Sequence, residues 1–198
     1  MHPRLIVIFL EIFFATILSA NRMEEIIYIS FINCNDVDKE QIISEVNKVY
    51  TYKVSYIYTP VDIELAYNSL RKQYSAEKIL TQLNKLLPHD AKVLVTVIDK
   101  DLYTEGFNYI FGQAWGKVSI VSIYRFKPCT QVDSLQEKNL LTERTIKTII
   151  HEIGHCIGLP HCSNPKCVMY FSNWVGDTDR KSMNFCNKCK NKLYKIDR

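Results

Sequence analysis

The sequence is poor in glycine and proline, carries little net charge, and has no apolar run long enough to cross a membrane. Gly and Pro number 6 each in 198 residues, which excludes a collagen-like chain. Lys and Arg number 25 against 21 Asp and Glu, giving a formal net charge of +4. Since no long basic block occurs, charge does not indicate a nucleic acid or a membrane surface as the main partner.

Apolar residues are abundant instead. They make up 47% of the chain, and aromatic residues make up 12%, which excludes an intrinsically disordered protein. A chain of this length can bury a core that is stable without disulfide bonds. No internal repeat or low-complexity linker is visible, so the composition predicts one globular domain.

The first residues, 1–22, differ from the rest of the chain. Their apolar run, Leu5–Ala20, ends in small residues and resembles a secretory signal peptide. Glu11 interrupts the run, which at sixteen residues is also shorter than a membrane-spanning helix of about 20. Alternatively, the folded protein begins at Met23 and the preceding segment is an over-long start. Both interpretations place the folded domain at 23–198.

The seven cysteines cannot all pair within one chain because their number is odd. Cys34, Cys129 and Cys156 are scattered among apolar neighbours, so we expect buried, reduced thiols. Reduced thiols are typical of a reducing compartment and favour a cytoplasmic location. The alternative is export directed by residues 1–20, and a membrane partner is expected only if that segment is an anchor.

Strand and helix patterns alternate along the chain, which predicts an α/β fold with a mixed, mostly parallel sheet and packed helices. A hairpin-like pair follows residue 101, and its first strand is expected at a sheet edge. The segment 128–138 is expected to be a loop. The predicted strands are 25–33, 53–59, 92–99, 108–115 and 118–126, and the predicted helices are 36–50, 75–88 and 140–157.

The last predicted helix ends in the pattern H-E-x-x-H-x-x-G-x-x-H, which starts at His151. His151 and His155 are four residues apart, so both imidazoles project from one helix face and can reach one zinc ion. Gly158 lets the chain turn so that His161 supplies a third ligand. Three protein ligands leave the fourth position of zinc for water, and Glu152 lies beside the metal.

Chance does not explain this motif. At the composition of this chain the full pattern would arise in roughly one sequence in a hundred thousand. A structural zinc site usually has four protein ligands, whereas here an acidic residue, Glu152, is free for chemistry. The pattern therefore predicts a catalytic zinc rather than ordinary core histidines.

Four cysteines form a second constellation, Cys162-x4-Cys167 and Cys186-x2-Cys189, separated by eighteen residues. Paired thiolates at this spacing are typical of a tetrahedral structural zinc. Two disulfides, an iron–sulfur cluster or unligated thiols are the alternatives. A metal would stabilise a C-terminal lobe that is poor in large aliphatic residues.

The two constellations together resemble the archaemetzincin family of zinc metallopeptidases in the metzincin clan, whose motif continues as H-C-x4-C-x-M and closes with C-x2-C. The resemblance implies two zinc ions: a catalytic one on His151, His155 and His161 and a structural one on Cys162, Cys167, Cys186 and Cys189. It also implies that Glu152 is the general base and that Met169 lies beneath the active site. A metzincin-like fold follows, with a sheet and helix part at 23–160 that ends in the active-site helix, and a small zinc-stapled lobe at 161–198.

The function expected from these residues is zinc-dependent hydrolysis of peptide bonds, with a peptide or protein substrate and a monomeric enzyme. The edge strand at 108–115 is expected to align the peptide, and Tyr170 is a candidate donor to the oxyanion. The alternative is a catalytically silent zinc-binding protein. Nucleic-acid binding is not expected, because acidic residues interrupt the C-terminal basic tail, whose residues are Lys181, Lys188, Lys190, Lys192, Lys195 and Arg198.

Overall fold

The structure is a computed structural model that describes residues 24–128 and 134–196. The N-terminal segment 1–22, Cys129 and Arg198 lie outside these ranges. Within them, no helix combines the length and the apolar character that a membrane crossing requires.

Eight strands and five α-helices follow one another in the described chain. The strands are β1 (Ile26–Ile32), β2 (Lys53–Tyr56), β3 (Tyr67–Asn68), β4 (Gln73–Ser75), β5 (Ala91–Ile98), β6 (Leu102–Tyr103), β7 (Gly112–Trp115) and β8 (Val118–Ser122). The helices are α1 (Lys39–Val49), α2 (Ala76–Lys85), α3 (Leu135–Cys156), α4 (Val175–Arg180) and α5 (Asn187–Ile196). Short 3₁₀ turns occur at Ile63–Ala66 and Tyr124–Phe126.

The main sheet has five strands in the order β2-β1-β5-β8-β7. Its first four strands run parallel, and β7 pairs antiparallel with β8 at the edge. This confirms the predicted mixed sheet and the edge position of the first hairpin strand. That strand is shorter than predicted, because Ile110 instead bridges to Leu102 of a small three-stranded sheet, β3-β4-β6.

Helices cover both faces of the main sheet, which explains why its central strand is apolar at nearly every position. Val93, Val95 and Val97 of β5 pack into one core with α1 and α3. Leu94 and Ile98 of the same strand point the other way, into a second core with α2. The alternation of side chains along a strand therefore creates a layer of helices on each side.

Helix α3 begins earlier than predicted. Ser134 accepts a hydrogen bond from the Glu137 amide, and the Glu137 carboxylate accepts one from the Ser134 amide. This reciprocal capping box satisfies two amides that a helix start leaves free. Residues 135–138 are therefore helical and not part of a loop, and α3 extends over 22 residues.

The C-terminal lobe packs directly against α3. Val168 and Met169 are fully buried in the same core as α3, and Phe185 is nearly so. Apolar burial contributes more to this lobe than its composition indicated. The lobe thus brings the segment after His161 under the last turns of the helix.

Candidate active site

A cavity of about 430 Å³ opens between the edge strand β7, the C-terminal half of α3 and the lobe. Glu152 and all three motif histidines line it. Gly112, Gln113 and Ala114 of β7 form one wall. The structure therefore brings together, in one cleft, the four residues that the helix motif singles out.

His151 and His155 are held in place by backbone carbonyl groups. The Nδ1 atom of His151 lies 2.8 Å from the Val168 oxygen, and that of His155 lies 2.8 Å from the Leu159 oxygen. Because a carbonyl oxygen only accepts, each Nδ1 donates a proton. The Nε2 atoms consequently keep their lone pairs and face each other at 3.0 Å.

The third histidine arrives through a turn at Gly158. This residue has φ of +101°, a left-handed conformation that glycine adopts without strain. The Gly158 amide donates to His155 and the next amide donates to Gly154, which ends the helix. The turn places a ring nitrogen of His161 among those of His151 and His155, with all three ligand atoms within 4.8 Å of one another.

Burial lowers the pKa of each of the three histidines. The effect is largest for His151, and the nearby Lys181 ammonium lowers the pKa of all three further. Neutral imidazole is the form that binds a metal. The cluster is therefore suited to a metal ion at neutral pH.

The donor set fits zinc. Two facing Nε2 lone pairs 3.0 Å apart repel each other unless a cation lies between them. Two nitrogen ligands of tetrahedral zinc at ~2.0–2.1 Å lie about 3.4 Å apart, close to this separation. Carbonyl groups that anchor the opposite ring nitrogen are also common at zinc sites.

Glu152 is 5% exposed, and within the described chain its carboxylate has no hydrogen bond or ion pair. Burial raises its pKa to about 8, and the Lys181 ammonium opposes this rise. The carboxylate lies against the backbone of Gly112, where a Cβ atom would come within 2.6 Å of Glu152 Oε1. Gly112, which no sequence motif marks, therefore makes room for the carboxylate.

The four lobe cysteines also form one cluster, with their sulfur atoms within 4.8 Å of one another. The Cys162 and Cys186 sulfurs are 3.8 Å apart, which matches the separation of about 3.8 Å between two thiolates on tetrahedral zinc. The Cys186 amide donates to the Cys167 sulfur, and the Cys189 amide lowers the pKa of Cys186 to about 7. This donor set can hold a second metal ion.

Met169 lies beneath the histidines, as the resemblance implied. Its side chain is fully buried and touches α3 at Gly154, where a Cβ atom would come within 2.5 Å of the sulfur. Its carbonyl accepts from the Cys162 amide. Met169 therefore connects α3 at Gly154 to the segment that carries Cys162.

One expectation for a single residue was wrong, and another stays a prediction. Tyr170 is not among the residues that line the cavity, so its role as an oxyanion donor stays a prediction. Lys181 is only 3% exposed and lines the cavity instead of belonging to a solvated basic tail. The local sequence did not reveal this, because the burial of Lys181 depends on tertiary packing.

Comparisons with known proteins agree with this geometry. The family model for peptidase family M54 matches residues 15–195. The archaemetzincin of Archaeoglobus fulgidus is 38% identical over 170 residues, which cover 84% of this chain and 98% of the relative.

Two solved structures are similar to this one. The archaemetzincin of Methanopyrus kandleri has a TM-score of 0.76 at 28% identity, over 89% of this chain and 97% of that one. A zinc-dependent peptidase from Methanocorpusculum labreanum has a TM-score of 0.73 at 27% identity, over 84% and 99%. The chain therefore belongs to peptidase family M54, the archaemetzincins, and is a zinc metallopeptidase.

Proposed function

We propose that this chain hydrolyses peptide bonds with Glu152 as the general base and with a catalytic zinc held by His151, His155 and His161. The observation that carries the proposal is the meeting of these four side chains in one cavity. A zinc ion at this site supplies Lewis-acid chemistry, since it lowers the pKa of water and polarises a carbonyl oxygen. Glu152 accepts a proton from the attacking water and returns it to the leaving amine.

The substrate is aligned along β7. In the described sheet this strand pairs only with β8. Alternate backbone amides and carbonyls of Gly112–Trp115 therefore point away from β8 and have no partner strand. An extended peptide that adds to this edge finds hydrogen-bond partners for its own backbone. The buried Gln113 Oε1 has no hydrogen-bond partner and lines the cavity, which leaves it available to a substrate amide.

The four-cysteine cluster holds a second, structural zinc. Its donor set is closed, because four thiolates complete a tetrahedron and leave no position for water. The cluster ties the Cys162–Cys167 turn to the start of α5, two segments that are distant in sequence. We infer that residues 23–198 act as one metallopeptidase domain, with the active-site helix ending the 23–160 part and this zinc stabilising the 161–198 lobe.

Replacement of Glu152 by glutamine tests the catalytic assignment, since glutamine keeps the shape of the side chain but cannot accept a proton. The experiment measures zinc content by mass spectrometry and cleavage of a peptide library, for the wild type and Glu152→Gln purified in parallel. We expect two zinc ions per chain in both proteins and a fall in kcat of about 10²–10⁴-fold in the variant.

Other outcomes are equally informative. Equal cleavage by both proteins would show that Glu152 is not the base. Two zinc ions with no cleavage by the wild type would favour the alternative, a catalytically silent zinc-binding protein.

A further inference from the structure

Lys181 is a buried cation with no ion pair among the described residues, although the nearby Glu152 carboxylate favours its charged form and opposes the lowering of its pKa by burial. It follows α4 directly, is 3% exposed, and lines the cavity together with Glu152 and the histidines. Its ammonium donates one long hydrogen bond, 3.4 Å, to the Tyr170 carbonyl. No carboxylate of the described chain forms an ion pair with it.

Other cations nearby are paired, which makes Lys181 exceptional. Arg144 on α3 binds Asp179 through two nitrogens at 2.7 and 2.8 Å. Lys147, one turn before His151, is as buried as Lys181 but lies 2.7 Å from the Glu143 carboxylate. A buried charge is costly without a partner. Within the described residues the Lys181 ammonium has no ion pair, and it lines the cavity where we propose that the substrate binds.

Hydroxyl groups without partners line the same cavity. Thr178 is 1% exposed, and its Oγ1 has no hydrogen-bond partner. Ser172 Oγ is likewise buried and unpaired. Hydroxyl and ammonium groups can all donate, whereas an ionised carboxylate is an acceptor only. Hydrogen bonds between charged donors and carboxylates are also stronger than neutral ones.

We propose that Lys181, with Thr178 and Ser172, forms a specificity subsite that binds a carboxylate of the substrate next to the cleaved bond. The carboxylate is supplied either by an Asp or Glu side chain or by the free C-terminus of a short peptide. This inference rests on the proposed peptidase function. It makes Lys181 a specificity-determining residue in addition to its electrostatic effect on Glu152.

Matched peptides test the proposal. One series places Glu or its neutral isostere Gln at each of the positions around the cleaved bond. A second series keeps the sequence neutral and ends in a carboxylate or a carboxamide. We expect wild-type kcat/KM to be at least about tenfold higher for the anionic member at one position, and the series that shows the preference identifies the source of the carboxylate.

Three variants test whether the preference for anionic peptides depends on the Lys181 ammonium. In Lys181→Met the preference should fall to about one or reverse, because kcat/KM should fall more for the anionic peptides than for the neutral ones. Lys181→Arg should retain part of the preference, because it keeps the charge. Lys147→Met removes an equally buried ammonium that does not line the cavity, and it should leave the preference intact.

Several outcomes would overturn the inference. A wild-type ratio near one at every position does so without any variant, so the test stands even if Lys181→Met fails to fold. Equal losses for neutral and anionic peptides in Lys181→Met would show that the ammonium acts through Glu152. Absence of any cleavage by the zinc-loaded wild type would instead contradict the proposed function itself.

Discussion

Replacement of Gly112 by alanine is expected to impair catalysis without removing zinc. The new Cβ atom would lie 2.6 Å from Glu152 Oε1, 2.8 Å from Cγ and 2.9 Å from Cδ. An ordinary van der Waals contact needs about 3.4 Å, so the carboxylate or the strand must retreat by roughly 0.8 Å. Neither Gly112 nor its neighbours in β7 contribute to the histidine cluster.

The expected magnitude follows from this displacement. A misplacement of about 1 Å at a reacting group costs on the order of 10²-fold in rate, or about 2.7 kcal/mol in activation free energy. Overpacking adds a stability loss of about 1–3 kcal/mol. We therefore expect kcat/KM to fall about a hundredfold while the zinc content stays unchanged.

The assay combines peptide cleavage, metal analysis and thermal unfolding of the wild type and Gly112→Ala. A double-mutant cycle with Glu152→Gln isolates the contact. In the Glu152→Gln background, which lacks the general base, Gly112→Ala should reduce kcat/KM little further. Gly112→Ala activity within threefold of the wild type would refute the reasoning. So would a hundredfold loss that persists unchanged in the Glu152→Gln background.

Two further predictions concern the cysteines. Cys186→Ser should lower the zinc content from two ions per chain to one, and a decrease of about 3 kcal/mol in the free energy of unfolding would lower Tm by roughly 6–12 °C. Cys34→Ser is the control variant. An unchanged zinc content in Cys186→Ser would contradict the assignment of Cys186 as a ligand. Burial, with a smaller effect of Asp99, raises the pKa of the Cys34 thiol from 9.0 to about 12. At pH 8 the folded protein therefore carries the thiolate at Cys34 in only about one molecule in ten thousand, and peptide mapping should find it alkylated by iodoacetamide only after unfolding. This protection is present below pH 9 and is lost as the pH rises toward 12, so rapid labelling of the native protein at pH 8 would disprove it.

Periodicity and spacing predicted the parts of the site that are local in sequence. His151 and His155 share a helix face because of their spacing alone, and the cysteine pairs are equally local. The parallel order of the sheet followed from the alternation of strands and helices. The early start of α3 could also have been predicted, since Ser134 and Glu137 have the spacing of a capping box.

Contacts between distant segments were not predictable in this way. Gly112 is in the sequence an ordinary strand glycine, and its role depends on Glu152, forty residues later. Lys181 lies in a polar, lysine-rich stretch that indicates a solvated surface, yet tertiary packing of α4 buries it. The two-residue strands β3 and β6 are too short to show any periodicity.

The two proposed metal sites are connected by the backbone and by backbone hydrogen bonds. His161 is followed directly by Cys162, whose amide donates to Met169 at 2.9 Å. Val168, next to Met169, orients His151 through its carbonyl and is itself held by an amide hydrogen bond to the Asn184 carbonyl at 3.0 Å. Hydrogen bonds to the ligand residues help to set the geometry of a metal site. The cysteine lobe therefore positions two of the three histidines, His151 through the Val168 carbonyl and His161 through the adjacent Cys162. Loss of the structural zinc should therefore weaken binding of the catalytic one as well, even though none of the cysteines in the described ranges lines the cavity.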